Sequence, residues 1–390
     1  LNPMSGEWGP DLSRLQRHVS LAIAYNVWEH WIRTGNDEFM YRYGAEMIYS
    51  IARFFSSLVT YDEADGRYHT HGIMGPDEFH EQLPGSDRHG LDDNAYTNVL
   101  ITWLMMKALQ LRQELPQEHR ERLERELKIS GEEYARWEEI SRKMNLIMNE
   151  DGIVSQFKGY FDLQELDWDG YRAEYGNIHR MDRILKAEGR SPDEYKVAKQ
   201  ADVLMMFYVF PLDTVREIFV RLGYRMDGDI LRRNYDYYLK RTSHGSTLSR
   251  VVHCYVAELL GRRKEAWNWL QDVLRSDVED IQGGTTPEGI HTGVMGGSID
   301  ILIRGYAGIQ LMDDRIVCAP RLPEQWKKLQ FRLLYRGRWV SVSLTRTELT
   351  VTLQKDSASK QPLLLEVGGK EYPLLPGKPV VRTLNGQTSV

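Results

Sequence analysis

The sequence has few of the features that mark secreted, membrane-bound or nucleic-acid-binding proteins. It contains two cysteines, Cys254 and Cys318, too few for a disulfide framework, which favours a reducing, cytoplasmic compartment. The longest apolar stretch lies near residues 99–109, far short of the roughly 18 residues that a membrane span requires. The net charge of −6 leaves no basic excess to attract nucleic acid or anionic lipid. We therefore expect a cytoplasmic protein with no membrane or nucleic-acid partner.

The chain does have enough apolar residues for a large folded core. Its 390 residues are 42% hydrophobic and 27% charged, a composition that supports one large globular domain or two. Leu1 is not an initiator residue, and residues 2–10 have the composition of a loop that continues from upstream. We therefore expect the sequence to be part of a longer protein.

The pattern of apolar residues divides the chain into two parts. Helical periodicity dominates up to about Gly308, and strand-like alternation replaces it from about Leu311. We expect a helical domain over residues 1–311 and a small β-sandwich-like domain over residues 312–390. Residues 151–176 are expected to form a loop over the site and residues 191–208 a single helix. Paired helices fit a barrel or a solenoid, but no fixed-period repeat favours the solenoid.

The segment GPDEFH, which begins at residue 75, places carboxylic acids in a turn stiffened by glycine and proline. Cleavage of a glycosidic bond requires a protonated carboxylic acid that donates to the leaving oxygen. Glu78 is the candidate for this general acid. Asp77, His80 and Glu81 would adjust its proton affinity or bind sugar hydroxyls.

A metal site is the alternative for this region, because His69, His71, His80 and His89 lie close together in the sequence. Their spacing matches neither the HExxH pattern nor the Cys/His zinc patterns. Residues 62–66 lack the remaining ligands of a calcium-binding loop. We therefore expect no metal.

Two downstream segments offer groups that bind sugars or anions. Lys199 and Gln200 precede an apolar helix and could reach sugar hydroxyls. The segment TSHGSTLSR, which begins at residue 242, combines His244 with the hydroxyls of Ser246 and Thr247 at the start of another helix. Unpaired backbone N–H groups and the helix dipole attract anions at such a position. The sequence therefore predicts an anion site here.

A glycine-rich segment at residues 282–291 enters a further helix and ends on His291. Thr285 and Glu288 match a capping box, which leaves His291 as a candidate anion ligand. Phosphate bound opposite one general acid attacks the anomeric carbon directly, so an inverting phosphorylase needs no general base. Inverting hydrolysis instead needs a second carboxylate roughly 6.5–9.5 Å from the acid, and Glu288 is the candidate. Both alternatives remain open at this point.

Together these segments resemble glycoside hydrolase family 65, the inverting phosphorylases of trehalose, maltose, kojibiose and related α-glucosides. The GPDEFH segment with DNAYTN at residues 93–98 resembles the family's general-acid loop. KQAD at residues 199–202 resembles its glucose-contacting pair. SHGSTLS at residues 243–249 and EGIH at residues 288–291 resemble its phosphate-binding elements. QGGTT at residues 282–286 resembles the trehalose-phosphorylase-like branch of the family.

The resemblance implies a mainly α fold, an (α/α)6 barrel followed by a small C-terminal β-sandwich. It also implies that an N-terminal β-sandwich and the first barrel helices precede the region covered by this sequence. The site residues that it implies are Glu78 as the general acid, Lys199 and Gln200 as sugar ligands, and Ser246, Thr247 and His291 as phosphate ligands.

The expected reaction is phosphorolysis of an α-glucosyl disaccharide, of the trehalose type, to β-glucose 1-phosphate and a released sugar. No cofactor is expected; inorganic phosphate is the co-substrate. The resemblance also suggests a homodimer. The alternatives are an inverting α-glucoside hydrolase with Glu288 as the general base and a non-catalytic carbohydrate-binding protein.

Overall fold

The computed structural model describes residues 4, 6, 8, 11–281, 289–355 and 361–384. The predicted elements at residues 282–286 and at Glu288, the alternative base, lie outside these described residues. Within the described part, helices and one short hairpin occupy the chain up to Tyr306, and strands follow from Ile309 onward. The predicted order, a mainly helical part followed by a β part, is confirmed.

The helical part contains fourteen α-helices within the described residues. Two π-helical segments, Met40–Gly44 and Ile301–Tyr306, continue α2 into α3 and extend α14. The α-helices are α1 His18–Thr34, α2 Asp37–Phe39, α3 Ala45–Leu58, α4 Ala95–Glu114, α5 Gln117–Leu127, α6 Gly131–Lys143, α7 Trp168–Tyr175, α8 Met181–Ala187, α9 Asp202–Val209, α10 Leu212–Arg221, α11 Ile230–Leu239, α12 Thr247–Leu259, α13 Arg263–Arg275 and α14 Thr292–Asp300.

Helices α1, α4, α9, α12 and α14 form a row with their N-terminal ends gathered on one side. His18 at the start of α1 lies edge-on to a tyrosine in the first turn of α4. Asn94, the residue before α4, donates to Asp202 at the start of α9 over 2.8 Å. Helix α9 packs on α12, and Leu248 in the first turn of α12 packs against Gly293 in the first turn of α14. Groups at these helix starts therefore share one end of the fold.

The helices of this row form an inner layer. Helix α4 is buried on nearly all sides over its first turns, whereas α13 buries a single face through Ala266, Leu270 and Val273. Helix α6 packs against α4, and α13 packs against α12. A helix that is apolar all round belongs inside, and an amphipathic one covers it. The inner and outer layers of a barrel follow from this difference.

The two ends of the row, α1 and α14, flank a cavity of about 370 Å³. Tyr25, Glu29 and Arg33 line it from α1, and Asp300 and Arg304 line it from the other side. Charged side chains from both ends of the row therefore line this space.

In the C-terminal part, the described residues form two four-stranded sheets. One has the order β10-β7-β6-β5 and is antiparallel throughout. The other has the order β3-β4-β8-β9, with β4 and β8 parallel. Every second residue of β6 is buried, as expected where one face of a sheet covers a core. The strands are β1 Thr60–Asp62, β2 Arg67–His69, β3 Ile309–Leu311, β4 Ile316–Cys318, β5 Lys328–Tyr335, β6 Arg338–Thr345, β7 Glu348–Leu353, β8 Leu363–Val367, β9 Lys370–Leu374 and β10 Pro379–Thr383.

Two local predictions are wrong, and capping side chains explain both. Residues 191–208 do not form one helix, because Ser191 accepts from the N–H of Asp193 and caps a short 3-10 turn, and α9 starts later, at Asp202. Residues 151–176 are not wholly irregular, because Asp167 caps α7 by accepting from the N–H of Gly170. No helix among the described residues combines the length and apolarity of a membrane span.

Candidate active site

The acid-bearing loop, residues 75–80, lies between the β1–β2 hairpin and the start of α4. Glu78 adopts a positive φ of 64°, a conformation that a residue with a side chain occupies only when its surroundings enforce it. Its carboxylate is about half-exposed, with 47% of the side chain accessible. The loop therefore presents Glu78 to solvent at the end of the fold where the inner helices begin.

Asp77 braces this loop from inside. Its carboxylate accepts from His80 Nδ1 at 2.7 Å, Gln156 Nε2 at 2.9 Å and the backbone N–H of Lys199 at 2.5 Å. His80 Nε2 lies 2.9 Å from the carbonyl of Tyr195 and must donate to it. Both nitrogens of His80 thus face acceptors. Asp77 and His80 are buried and hold the loop together in this structure.

The protonation of His80 follows from these contacts. Burial alone disfavours the charged imidazolium, but the hydrogen bond and the negative charge of Asp77 outweigh it and raise the pKa of His80. The loop that carries Glu78 therefore contains a buried ion pair between Asp77 and His80.

The first two residues of the KQAD segment both contact the acid-bearing loop. Lys199 Nζ lies 2.6 Å from Glu78 Oε2, and Gln200 Nε2 donates to the carbonyl of Pro76 over 2.7 Å. Each of the two predicted sugar ligands therefore contacts the acid-bearing loop. The ion pair keeps the Glu78 carboxylate in place, and the amide of Gln200 fixes the turn before it.

Gly75 allows the loop to approach the start of α9. A Cβ atom on Gly75 would lie 1.9 Å from Asp202 Oδ2 and 2.5 Å from Asn94 Nδ2, so no other residue fits without displacing buried polar groups. Burial, and then the nearby charge of Asp77, raise the pKa of Asp202 well above its ordinary value. Asp202 is therefore held as the neutral acid behind the loop.

The predicted anion element, residues 243–247, lies directly beside Lys199. A Cβ atom on Gly245 would be 2.5 Å from the carbonyl oxygen of His179 and 3.2 Å from Lys199 Cγ. Ser246 is the N-cap of α12, accepting from the N–H of Leu248. Lys199 therefore contacts the acid-bearing loop through Glu78 and lies next to Gly245 of the anion element.

His244 has a structural environment that its sequence position did not indicate. Its φ is 57°, and its Nδ1 lies 3.0 Å from Ser249 Oγ. Burial, with neighbouring His253 and Arg250 as further causes, lowers the pKa of His244 well below its ordinary value. His244 is therefore neutral, and any phosphate here would meet an uncharged imidazole.

His291 lies at the start of α14, beside the start of α12. The Asp277 carboxylate contacts His291 twice: it accepts from the His291 backbone N–H at 2.9 Å and lies 2.7 Å from His291 Nδ1. Gly293, two residues later, packs against Leu248. The structure thus brings the two predicted anion elements to the same end, although residues 282–288 lie outside the described part.

Three of the four clustered histidines have separate partners. His69 bonds Asp93 and Asp65, His71 lies 3.2 Å from Asp92, and His80 pairs with Asp77. Among the described residues, only Asp62, Asp65 and His69 place three potential metal ligands within reach of one another. That group belongs to the β1–β2 hairpin, and Glu78 is not a member.

The sequence patterns indicate no role for Gln156, Asn94, His179 or Arg250. Asn94 and Arg250 lie inside quoted motifs, but neither motif indicates what their side chains contact. His179 Nδ1 donates to the carbonyl of Ser243 over 2.8 Å, and its Nε2 lies 3.2 Å from Arg250. Gln156 and His179 carry no local signal, because only the fold brings them to the site.

Comparisons with known proteins agree with this architecture. The model of the glycosyl hydrolase family 65 central catalytic domain matches residues 1–300, and that of the family's C-terminal domain matches residues 309–374. A solved structure, a putative kojibiose phosphorylase from the human microbiome, aligns with a TM-score of 0.78 at 21% identity, covering 99% of this chain and 53% of that one. The fold is therefore the (α/α)6 barrel followed by a β domain.

Curated relatives are closer in sequence. An uncharacterised glycosyl hydrolase of Mycobacterium tuberculosis is 44% identical over 95% of this chain and 28% of that protein. Trehalose 6-phosphate phosphorylase of Lactococcus lactis is 41% identical over 92% of this chain and 45% of that protein. The chain spans less than half the length of these relatives. It belongs to glycosyl hydrolase family 65.

Proposed function

We propose that this chain carries the catalytic site of an inverting phosphorylase that acts on an α-glucosyl disaccharide of the trehalose type. Glu78 is the general acid, phosphate is the nucleophile, and the products are β-glucose 1-phosphate and a released sugar. One observation carries the proposal: Lys199 Nζ lies 2.6 Å from the Glu78 carboxylate, and Lys199 Cγ lies next to Gly245 of the anion element, where it would be 3.2 Å from a Cβ atom added to that glycine. The proposed acid, Glu78, and the proposed anion element at the start of α12 thus lie on either side of the Lys199 side chain.

The chemistry follows from this placement. Phosphate held at Ser246, Thr247 and His291 attacks C1 of the glucosyl unit from the face opposite the leaving oxygen, and Glu78 protonates that oxygen. Glu78 cannot keep its ion pair with Lys199 while it carries the proton. Glucosyl hydroxyls that engage Lys199 would open the pair as the sugar binds.

The printed names of the relatives support phosphorolysis and narrow the substrate class. Trehalose 6-phosphate phosphorylase is 41% identical to this chain, a kojibiose phosphorylase 31% and an α,α-trehalose phosphorylase 27%. Each of these names specifies an α-linked glucosyl disaccharide and its cleavage by phosphate. We assign the same reaction class here, with phosphate as co-substrate and no further cofactor.

The test offers a panel of α-linked glucose disaccharides, including trehalose and trehalose 6-phosphate, to the full-length protein with and without phosphate. Proton and phosphorus NMR identify the products. β-Glucose 1-phosphate that forms only with phosphate is the expected result and names the substrate. Free glucose at the same rate without phosphate would make the protein a hydrolase, with Glu288 as the residue to test. Binding of a sugar without any turnover would leave a carbohydrate-binding protein.

A further inference from the structure

Arg250 is a buried cation directly under the predicted anion element. It lies in the first turn of α12 with only 3% of its surface exposed. Its guanidinium contacts two uncharged groups: one nitrogen lies 3.2 Å from His179 Nε2, and another lies 3.5 Å from the carbonyl of His244. None of the carboxylates that the structure describes forms an ion pair with it.

The surroundings of Arg250 supply little compensation for its charge. Burial lowers the pKa of the guanidinium, and Asp272 opposes this only through space. Burial also lowers the pKa of His179, and since His179 Nδ1 donates to Ser243, its neutral Nε2 is left to accept from Arg250. His244 is neutral as well. A buried charge that lacks a close counter-charge is costly, and proteins retain it mainly where a ligand neutralises it.

We propose that Arg250 is a phosphate-affinity determinant of the anion element, positioned by His179 and neutralised when an oxyanion occupies the start of α12. The inference rests on the proposed function, because it assigns the counter-charge of the same phosphate. The backbone N–H groups at the start of α12 would meet such an oxyanion, and the guanidinium lies 3.5 Å from the carbonyl of His244 just before them. The electric field of the helix N-terminus and that of the guanidinium add in a region largely shielded from water, where electrostatic interactions are strong.

The first measurement is the melting temperature as a function of inorganic phosphate concentration. It compares the unmodified protein with Arg250→Met and with Arg241→Met, a control that removes a cation paired with Glu165. We expect phosphate to raise the melting temperature of the unmodified protein and of Arg241→Met equally, and to raise that of Arg250→Met clearly less at the same phosphate concentration. Without phosphate, Arg250→Met should melt no lower than the unmodified protein, because it removes an uncompensated buried charge.

The second measurement is steady-state kinetics in the phosphorolytic direction. Arg250→Met should raise the KM for phosphate about tenfold or more, because it removes a positive charge that acts on phosphate in a region shielded from water, while the KM for the disaccharide stays within about twofold. Arg250→Lys keeps the charge without the planar fork and should show an intermediate phosphate KM. If Arg250→Met fails to fold, an Arg250→Lys variant with an unchanged phosphate KM would overturn the proposal.

The outcomes separate this inference from the proposed function. Equal stabilisation of the unmodified protein and Arg250→Met by phosphate would overturn the role of Arg250 and leave the phosphorylase intact. No stabilisation of the unmodified protein, together with phosphate-independent release of glucose, would overturn both.

Discussion

Lys199 binds the carboxylates of two consecutive residues of the acid-bearing loop. The backbone N–H of Lys199 donates to Asp77 at 2.5 Å, and Lys199 Nζ donates to Glu78 at 2.6 Å. The first contact fixes the backbone of the turn, and the second fixes the carboxylate that it presents. Only the second involves the Lys199 side chain, so the two functions can be separated by mutation.

Lys199→Met should lower kcat/KM for the disaccharide, because the variant loses both the ion pair that orients Glu78 and a proposed sugar contact. Its stability should change by less than about 1 kcal/mol, since a partly exposed ion pair contributes little and the backbone contact to Asp77 survives. Steady-state kinetics and urea unfolding measure the two effects. An unchanged kcat/KM would remove Lys199 from the site.

Glu78→Gln should lower kcat by about 10²- to 10⁴-fold, the usual contribution of a general acid. The melting temperature should hardly change, because the side chain is half-exposed. Glu63→Gln, which changes an exposed carboxylate in the β1–β2 turn, is the matched control and should keep most of the activity. Turnover near the unmodified level in Glu78→Gln would mean that another group protonates the leaving oxygen.

Gly75→Ala should destabilise the protein by about 1–3 kcal/mol, the usual cost of forcing an extra methyl group into a packed site. It should also lower kcat, because Asp202 and Asn94 must move to admit the methyl group and the loop carrying Glu78 moves with them. Gly131→Ala is the control: nothing lies within 4 Å of its added Cβ, and alanine favours the helix. Equal stability of the two variants in urea unfolding would contradict the close contact.

Asp202→Asn tests the neutral state of the buried acid. The pKa of Asp202 is raised in the folded protein, so the folded state keeps a proton that the unfolded state releases above about pH 3.9. The stability of the unmodified protein therefore falls as pH rises from there towards the folded pKa, by up to about 1.4 kcal/mol per pH unit from this group. Asparagine lacks this dependence.

The stability of Asp202→Asn relative to the unmodified protein should therefore increase between about pH 5 and about pH 7. Urea unfolding of both proteins at each pH gives the difference. A difference that does not vary with pH over this range would show that Asp202 is already ionised in the folded state there, and would contradict the raised pKa.

Local chemistry in the sequence was sufficient to predict much of the fold. The change from helical to strand periodicity near Leu311 follows from which faces each element must bury, and Asn94 marks the start of α4 because its side chain caps the helix. The prediction failed at residues 191–208, where apolar spacing suggested one helix. The Ser191 cap and a proline commit that stretch to a short turn instead.

The sequence by itself determined the kinds of groups present: a carboxylic acid in a glycine-proline turn, hydroxyls at a helix start, and too few cysteines for a disulfide framework. Only the tertiary structure decided which of them meet. Segments near residues 77, 156, 199 and 245 lie far apart in the chain, and their contacts arise because the inner helices begin at one end of the barrel. Burial and close partners there also decide charge: Asp77 keeps His80 protonated despite its burial, burial favours a neutral His244, and Arg250 lacks a close counter-charge. Solvent access and contacts between distant segments are both properties of the packed molecule.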